Sequence, residues 1–199
     1  MATRWSAYEY QPSFVLGFHG CDKSTAEKIL SGKEPHLLRS EKKYDWLGHG
    51  IYFWEGNPSR ALAWAEHRKA EKKIRTPAVV GAIIDLRHCL DLFDQAGIAQ
   101  VQQAHTELAL DFKKLELPMP VNVGPTPDKA GRVLDCIVLN ALHKYRENLG
   151  EVAYDSVRAP FLEGKEIYAG AGFRSENHIQ LCVRSTDCIK GYFRPLLSD

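Results

Sequence analysis

Apolar positions run along the chain in short strand-like stretches, then at helical spacing, then as strands again. Phe14-Val15-Leu16-Gly17-Phe18 predicts a buried strand ending in His19-Gly20. Ser24 followed by Glu27 has capping-box spacing and predicts a short helix from Ser24 to Leu30, stopping near Gly32. Lys33 to Lys43 is polar and charged, hence a loop. Gly50-Ile51-Tyr52-Phe53-Trp54 predicts a second strand. Asn57-Pro58 is a helix start, with Asn as N-cap and Pro at the first helical position. That helix is expected from Pro58 to about Lys73, with Ala61, Trp64 and Ala65 on one face and basic later turns. Ala78 to Asp85 is nearly continuous in apolar character and predicts a strand.

The middle of the chain changes period. Ile98, Val101, Leu108, Phe112 and Leu115 recur at helical steps. Pro118, Pro120, Pro125 and Pro127 then make Leu117 to Asp128 a loop. Val133, Leu134, Ile137, Val138, Ala141, Leu142 and Tyr145 predict a second amphipathic helix. These two helices read as an insertion over about residues 95–149 of one domain spanning 1–199. After Gly150, Val152 to Val157 is strand-like, and Glu163 to Gly172 is a Gly-containing loop. His178-Ile179-Gln180-Leu181-Cys182-Val183 alternates as a half-buried strand does, with Cys188 to Phe193 as its expected hairpin partner. Strands at both ends and helices between them predict an α+β fold with a mainly antiparallel sheet.

Composition narrows the function. The 199 residues are 44% hydrophobic and 26% charged, as in a globular domain able to bury its own core. Twenty-six Lys and Arg against 25 Asp and Glu give a net charge of +1, which argues against a polybasic nucleic-acid coat or membrane-surface protein. No run approaches ~18 consecutive apolar residues, so no membrane association is expected. Met1 to Gln11 lacks the pattern of a secretory signal. The five cysteines are odd in number and show no C-x-x-C pair, which fits reduced thiols in a cytoplasmic protein and no metal site.

Three segments carry candidate chemistry: Phe18-His19-Gly20, then Gly48-His49-Gly50-Ile51-Tyr52-Phe53-Trp54 with the helix start after it, and His178-Ile179-Gln180. Each alone has a plain structural explanation, as a loop histidine, a core strand and a solvated edge. Their joint order and flanks resemble the signature of ADP-ribosyltransferases of the diphtheria-toxin and poly-ADP-ribose-polymerase type. That family carries a His on its first strand, a Tyr on a Gly-x-Tyr strand and a Glu on a late strand. The resemblance covers roughly Phe14 to Arg75 and Asn177 to Phe193, and the late strand departs from it by offering Gln180 in place of Glu.

The resemblance implies a split antiparallel sheet around an NAD⁺ cleft, with NAD⁺ as co-substrate and no metal. It implies that His19 bonds a ribose hydroxyl, that the Gly20 backbone grips the nicotinamide amide, and that Tyr52 and Trp64 wall the ring. Ser59, in the segment from Ser59 to Trp64, belongs to the same cofactor-binding set. Gln180 can orient a ribose hydroxyl but cannot serve as a general base, so single-unit transfer to a protein or nucleic-acid acceptor is expected. Glu163, Glu166, Glu176 and His178 are candidates for the missing acceptor-activating group, Glu55 is a further one, and Asp45 and Trp46 are candidate cleft residues.

Other motifs weigh less. Arg68, Lys69, Lys72, Lys73 and Arg75 read as a phosphate-contacting face or, preferably, as a solvated face interleaved with Glu66 and Glu71. Cys136 and His143 lie two helical turns apart, too far for a thiol–imidazole pair. No Gly-x-Gly-x-x-Gly fingerprint supports a dehydrogenase. Two alternatives stand beside the transferase: an NAD⁺-dependent RNA 2′-phosphotransferase using His178, Arg174 and Arg184, and a silent module binding NAD⁺ or ADP-ribose.

Overall fold

A computed structural model describes residues 10–124 and 131–196. The expectations for residues 1–9 and for the proline loop at 125–128 lie outside the described residues. The strands are β1 (Tyr10–Asp22), β2 (Ile51–Glu55), β3 (Pro77–Asp91), β4 (Ser156–Phe161), β5 (His178–Val183) and β6 (Ile189–Phe193). The helices are α1 (Lys23–Leu30), α2 (Pro58–Ala70), α3 (Gln95–Lys114) and α4 (Val133–Asn148). The described residues form an α+β fold, with four α-helices and a mixed six-stranded sheet.

The sheet order is β1-β2-β5-β4-β3-β6, and β1 also pairs with β3, so five strands close on themselves. All pairings are antiparallel except β3–β4. The long strand β3 makes this possible. It pairs with β1 from Pro77 to His88, with β6 at Gly81 to Ile84, and with β4 only through Cys89 to Asp91. Arg87, at φ 50°, marks the bend where β3 passes from one group of partners to the other. Parallel strands need a long crossover, and α3 and α4 supply it between β3 and β4.

On the opposite side the ring is thin. β1 and β2 pair only at Gly17–Glu55 and Phe18–Trp54, and beyond Phe18 the two strands part. One core cluster, including Phe53, Val80, Ile84, Leu181 and Val183, packs with Ala26 and Ile29 of α1. A second packs α3 and α4 against β4 and β5 through Leu108, Leu139, Leu142, Val157 and Ala159. A third, Phe18, Trp54 and Ala61, lies under α2.

Several expectations are corrected. The first strand is longer and not wholly buried: Phe14 and Leu16 are exposed on its outer face, while Phe18 is buried. The cap of α1 is Asp22, whose Oδ1 accepts from the Ser24 N–H at 3.0 Å, not Ser24 itself. The fourth strand starts at Ser156, because the Val152 carbonyl is held by the Arg146 guanidinium at 2.8 and 3.1 Å instead of by a neighbouring strand. β6 is not the partner of β5. Both edges of β5 are taken by β2 and β4, and the turn at Thr186–Cys188 carries the chain across to β3. α2 ends at Ala70, three residues before the expected Lys73.

Candidate active site

A cleft of about 480 Å³ opens where β1 and β2 separate, and His19, Tyr52, Trp64 and Gln180 all line it. Each is brought there by a different element. His19 is the first residue of β1 beyond the β1–β2 pairing, and its ring Nδ1 lies 2.7 Å from the Tyr52 carbonyl oxygen. A carbonyl only accepts, so Nδ1 carries the hydrogen and Nε2 keeps its lone pair. Burial lowers the His19 pKa, opposed in part by this bond, so the ring is neutral at neutral pH.

Tyr52 is fixed through its hydroxyl, which accepts from the Leu47 N–H at 2.9 Å and donates to the Gly48 carbonyl at 2.6 Å. Burial raises its pKa, so the phenol stays protonated and its ring is a wall. Register puts Trp54 opposite Gln180, and alternation puts Tyr52 on the same face. Trp64 reaches the cleft from α2, its ring centroid 5.9 Å from that of Trp54. Trp54 is buried, and its Nε1–H has no partner among the described residues. A buried donor without a partner beside a cleft is what a polar ligand group would satisfy.

The floor continues along β5 and β4. His178 stands opposite Phe161 and stacks on it at 5.4 Å, and its Nδ1 donates to the Glu176 carbonyl at 2.8 Å. Its pKa is lowered by burial, so it too is neutral near pH 7. Arg60, on the first turn of α2, holds Glu163 through Nη2 at 2.7 Å and Glu176 through the same nitrogen at 2.8 Å. Arg60, Glu163 and His178 all line the cleft. At the other end its rim is basic and aromatic, with Arg39, Lys42, Tyr44 and Trp46. Asp45 lines the cleft with both carboxylate oxygens engaged, by the Ser40 hydroxyl at 2.9 Å and the Lys42 N–H at 2.7 Å.

The other named residues fall elsewhere. Ser59 is exposed on α2 and is not part of the cleft wall, while the next residue, Arg60, is. Gly20 does not line the cleft but packs under α2, where a Cβ would lie 2.1 Å from the Ala61 carbonyl oxygen. Glu166 is exposed and accepts from the Gly170 N–H at 3.1 Å. Glu176 stands outside the cleft wall and touches it through Arg60. Glu55 is gripped by Arg158 at 2.6 and 3.0 Å. Arg174 and Arg184 do not line the cleft.

No family model matches the chain, and no solved structure matches it. A curated relative, the uncharacterized protein MJ0359 of Methanocaldococcus jannaschii, is 23% identical over 188 residues, covering 87% of this chain and 83% of that protein. At that identity it carries no functional assignment.

Trp54 and Arg60 were missed from sequence, as were the cleft residues of the loop from Leu38 to Tyr44. Trp54 had a legible signal, since it lies two residues from Tyr52 on a strand and so shares its face. Arg60 had none, because only the packing of α2 against β1 aims it at Glu163. The remaining motifs resolve as ordinary structure. Arg68 and Lys73 pair with Glu71 at 2.7 and 3.2 Å. The Cys136 thiol donates to the Lys42 carbonyl and is not paired with His143. All five cysteines are free and buried. Among the described residues no helix is long and apolar enough to cross a membrane.

Proposed function

We propose that this protein is an NAD⁺-consuming mono-ADP-ribosyltransferase. It transfers ADP-ribose to a protein or nucleic-acid acceptor and releases nicotinamide. One observation carries the reading: His19, Tyr52, Trp64 and Gln180, named from the family resemblance on distant segments, line one cleft of about 480 Å³. That volume lies within the range of small-molecule sites. Two aromatic walls and the unpartnered Trp54 Nε1–H fit a flat ring bearing an amide.

The chain's own groups have defined tasks in this chemistry. Cleaving the bond between nicotinamide and ribose develops positive charge on the ribose, as in glycoside cleavage. The His19 Nε2 lone pair accepts a hydrogen bond from a ribose hydroxyl, and the Gln180 carboxamide orients a second. Tyr52 and Trp64 hold the departing ring. Because Gln180 carries no charge, acceptor activation falls to another group. NAD⁺ is consumed, so it is a substrate and not a recycled cofactor.

The deciding measurement incubates the protein with NAD⁺ labelled in its adenylate portion together with cell lysate. The expected result is release of nicotinamide and label on macromolecules, lost to either protease or nuclease treatment. Absence of nicotinamide release in every fraction would sink the transferase reading and leave a binding module.

A further inference from the structure

We propose that Glu163, at the end of β4, is the carboxylate that takes the acceptor's proton, and that Arg60 is the residue that positions it. This rests on the transferase reading above. The family's carboxylate position, on β5, is occupied here by an amide. The cleft wall offers two carboxylates, Asp45 and Glu163. Asp45 has both oxygens committed to Ser40 and Lys42. Glu55 is clamped by Arg158, and Glu166 and Glu176 lie off the wall. Glu163 remains.

Strand register explains how it arrives. Ala159 stands opposite Gln180 and Phe161 opposite His178. β4 ends at Phe161, and two residues further on the Glu163 carbonyl accepts from the Glu176 N–H at 3.0 Å, which holds Glu163 beside the start of β5. There Glu163 Oε2 lies 2.7 Å from Arg60 Nη2 and 3.6 Å from His178 Nδ1. Both contacts use Oε2, which leaves Oε1 for an incoming hydroxyl. Arg60 is itself set by the start of α2, where Asn57 Oδ1 accepts from the Arg60 N–H at 2.9 Å.

The step balances without a further reagent. The acceptor's O–H proton passes to Glu163, and its oxygen forms a bond to the anomeric carbon of the nicotinamide ribose. The bond from that carbon to the nicotinamide nitrogen breaks, and its electron pair leaves on neutral nicotinamide. Glu163 then returns the proton to solvent.

The test compares the parent with Glu163→Gln, Glu163→Ala and Glu166→Gln. NAD⁺ binding is read by quenching of tryptophan fluorescence. Turnover is read as nicotinamide release with water, total RNA and total cellular protein offered as acceptors. Glu163→Gln keeps a hydrogen-bonding group for Arg60, so it should bind NAD⁺ within about twofold of the parent while turnover falls about 10²–10⁴-fold. Added formate should restore part of the turnover of Glu163→Ala, which a merely structural role does not predict. Glu166→Gln, at an exposed acid off the cleft wall, should stay within about threefold. Turnover of Glu163→Gln within threefold of the parent overturns the assignment. So does loss of its NAD⁺ binding along with its activity, or failure of formate to restore Glu163→Ala. A parent that binds NAD⁺ but releases no nicotinamide overturns the transferase reading itself, and this assignment with it.

Discussion

His19 and Tyr52 are joined through one bond but have separable roles. His19→Ala and Tyr52→Ala should each abolish transfer of label from NAD⁺ while leaving the fold intact by circular dichroism. Tyr52→Phe isolates the hydroxyl. It leaves the Leu47 N–H without its partner and the Gly48 carbonyl with only the Cys182 thiol at 3.7 Å, which should cost about 1–3 kcal/mol in denaturant unfolding. The ring wall survives, so Tyr52→Phe should retain labelling that Tyr52→Ala loses. His143 gives a pH prediction. It is buried on α4 with neither ring nitrogen hydrogen-bonded among the described residues, and burial, with Arg184, Arg146 and Arg39 nearby, lowers its pKa from 6.5 to about 3. The unfolded chain therefore binds the proton more readily than the folded one. This contribution to stability is complete above pH 6.5 and is lost as pH falls from there toward 3. His143→Leu should flatten the fall in stability between those pH values, measured by urea unfolding at a series of pH values.

At the level of elements, α2 is the part on which the site depends. Its N-terminus is set by Asn57, and its seating by the absence of a side chain at Gly20. Asn57→Ala should cost about 1 kcal/mol through the lost cap. Gly20→Ala should cost more, about 1–3 kcal/mol, because its Cβ meets backbone at Ala61 and α2 must shift. Since α2 carries both Arg60 and Trp64, Gly20→Ala should also weaken NAD⁺ binding, read by the same tryptophan quenching. The strands contribute by where pairing stops. β1 and β2 share two residue pairs and then diverge, and the divergence is the cleft. Pairing elsewhere is longer, six residues between β4 and β5 and four between β2 and β5, so the floor is fixed.

Across the whole molecule, closure of the ring depends on the short parallel contact between the end of β3 and β4. Arg158 braces it. Its guanidinium spans Glu55 of β2, at 2.6 and 3.0 Å, and Asp91 of β3, at 3.2 Å, from its own place on β4. All three side chains are at most 20% exposed, so removing the cation strands two carboxylates in a poorly hydrated place. Arg158→Ala should destabilise the protein by about 3–5 kcal/mol and lower Tm by roughly 10 °C, as differential scanning calorimetry would show. The second core cluster, α3 and α4 against Val157 and Ala159 of β4 and Cys182 of β5, lies on the same sheet face as Gln180 and extends that floor.

Local periodicity and end signals were enough to locate all four helices, and they found the strands β2 and β5 within one residue. They work because each depends on residues close in sequence: the step of 3.6 or 2, the Asn57-Pro58 start, the Gly that follows a helix. The candidate site residues His19, Tyr52, Trp64 and Gln180 were also legible, through flanking patterns. Which strand pairs with which was not, because alternation fixes a face and not a neighbour. β6 leaves β5 for β3 for that reason, and β3 exceeds its apolar core because pairing continues past it through Arg87 to Asp91. The choice among the acidic residues belonged to the tertiary structure alone. Glu55, Glu163, Glu166 and Glu176 are chemically equivalent in sequence. Only the positions of Arg158 and Arg60, brought in from other elements, clamp one of them to the sheet and aim another into the cleft.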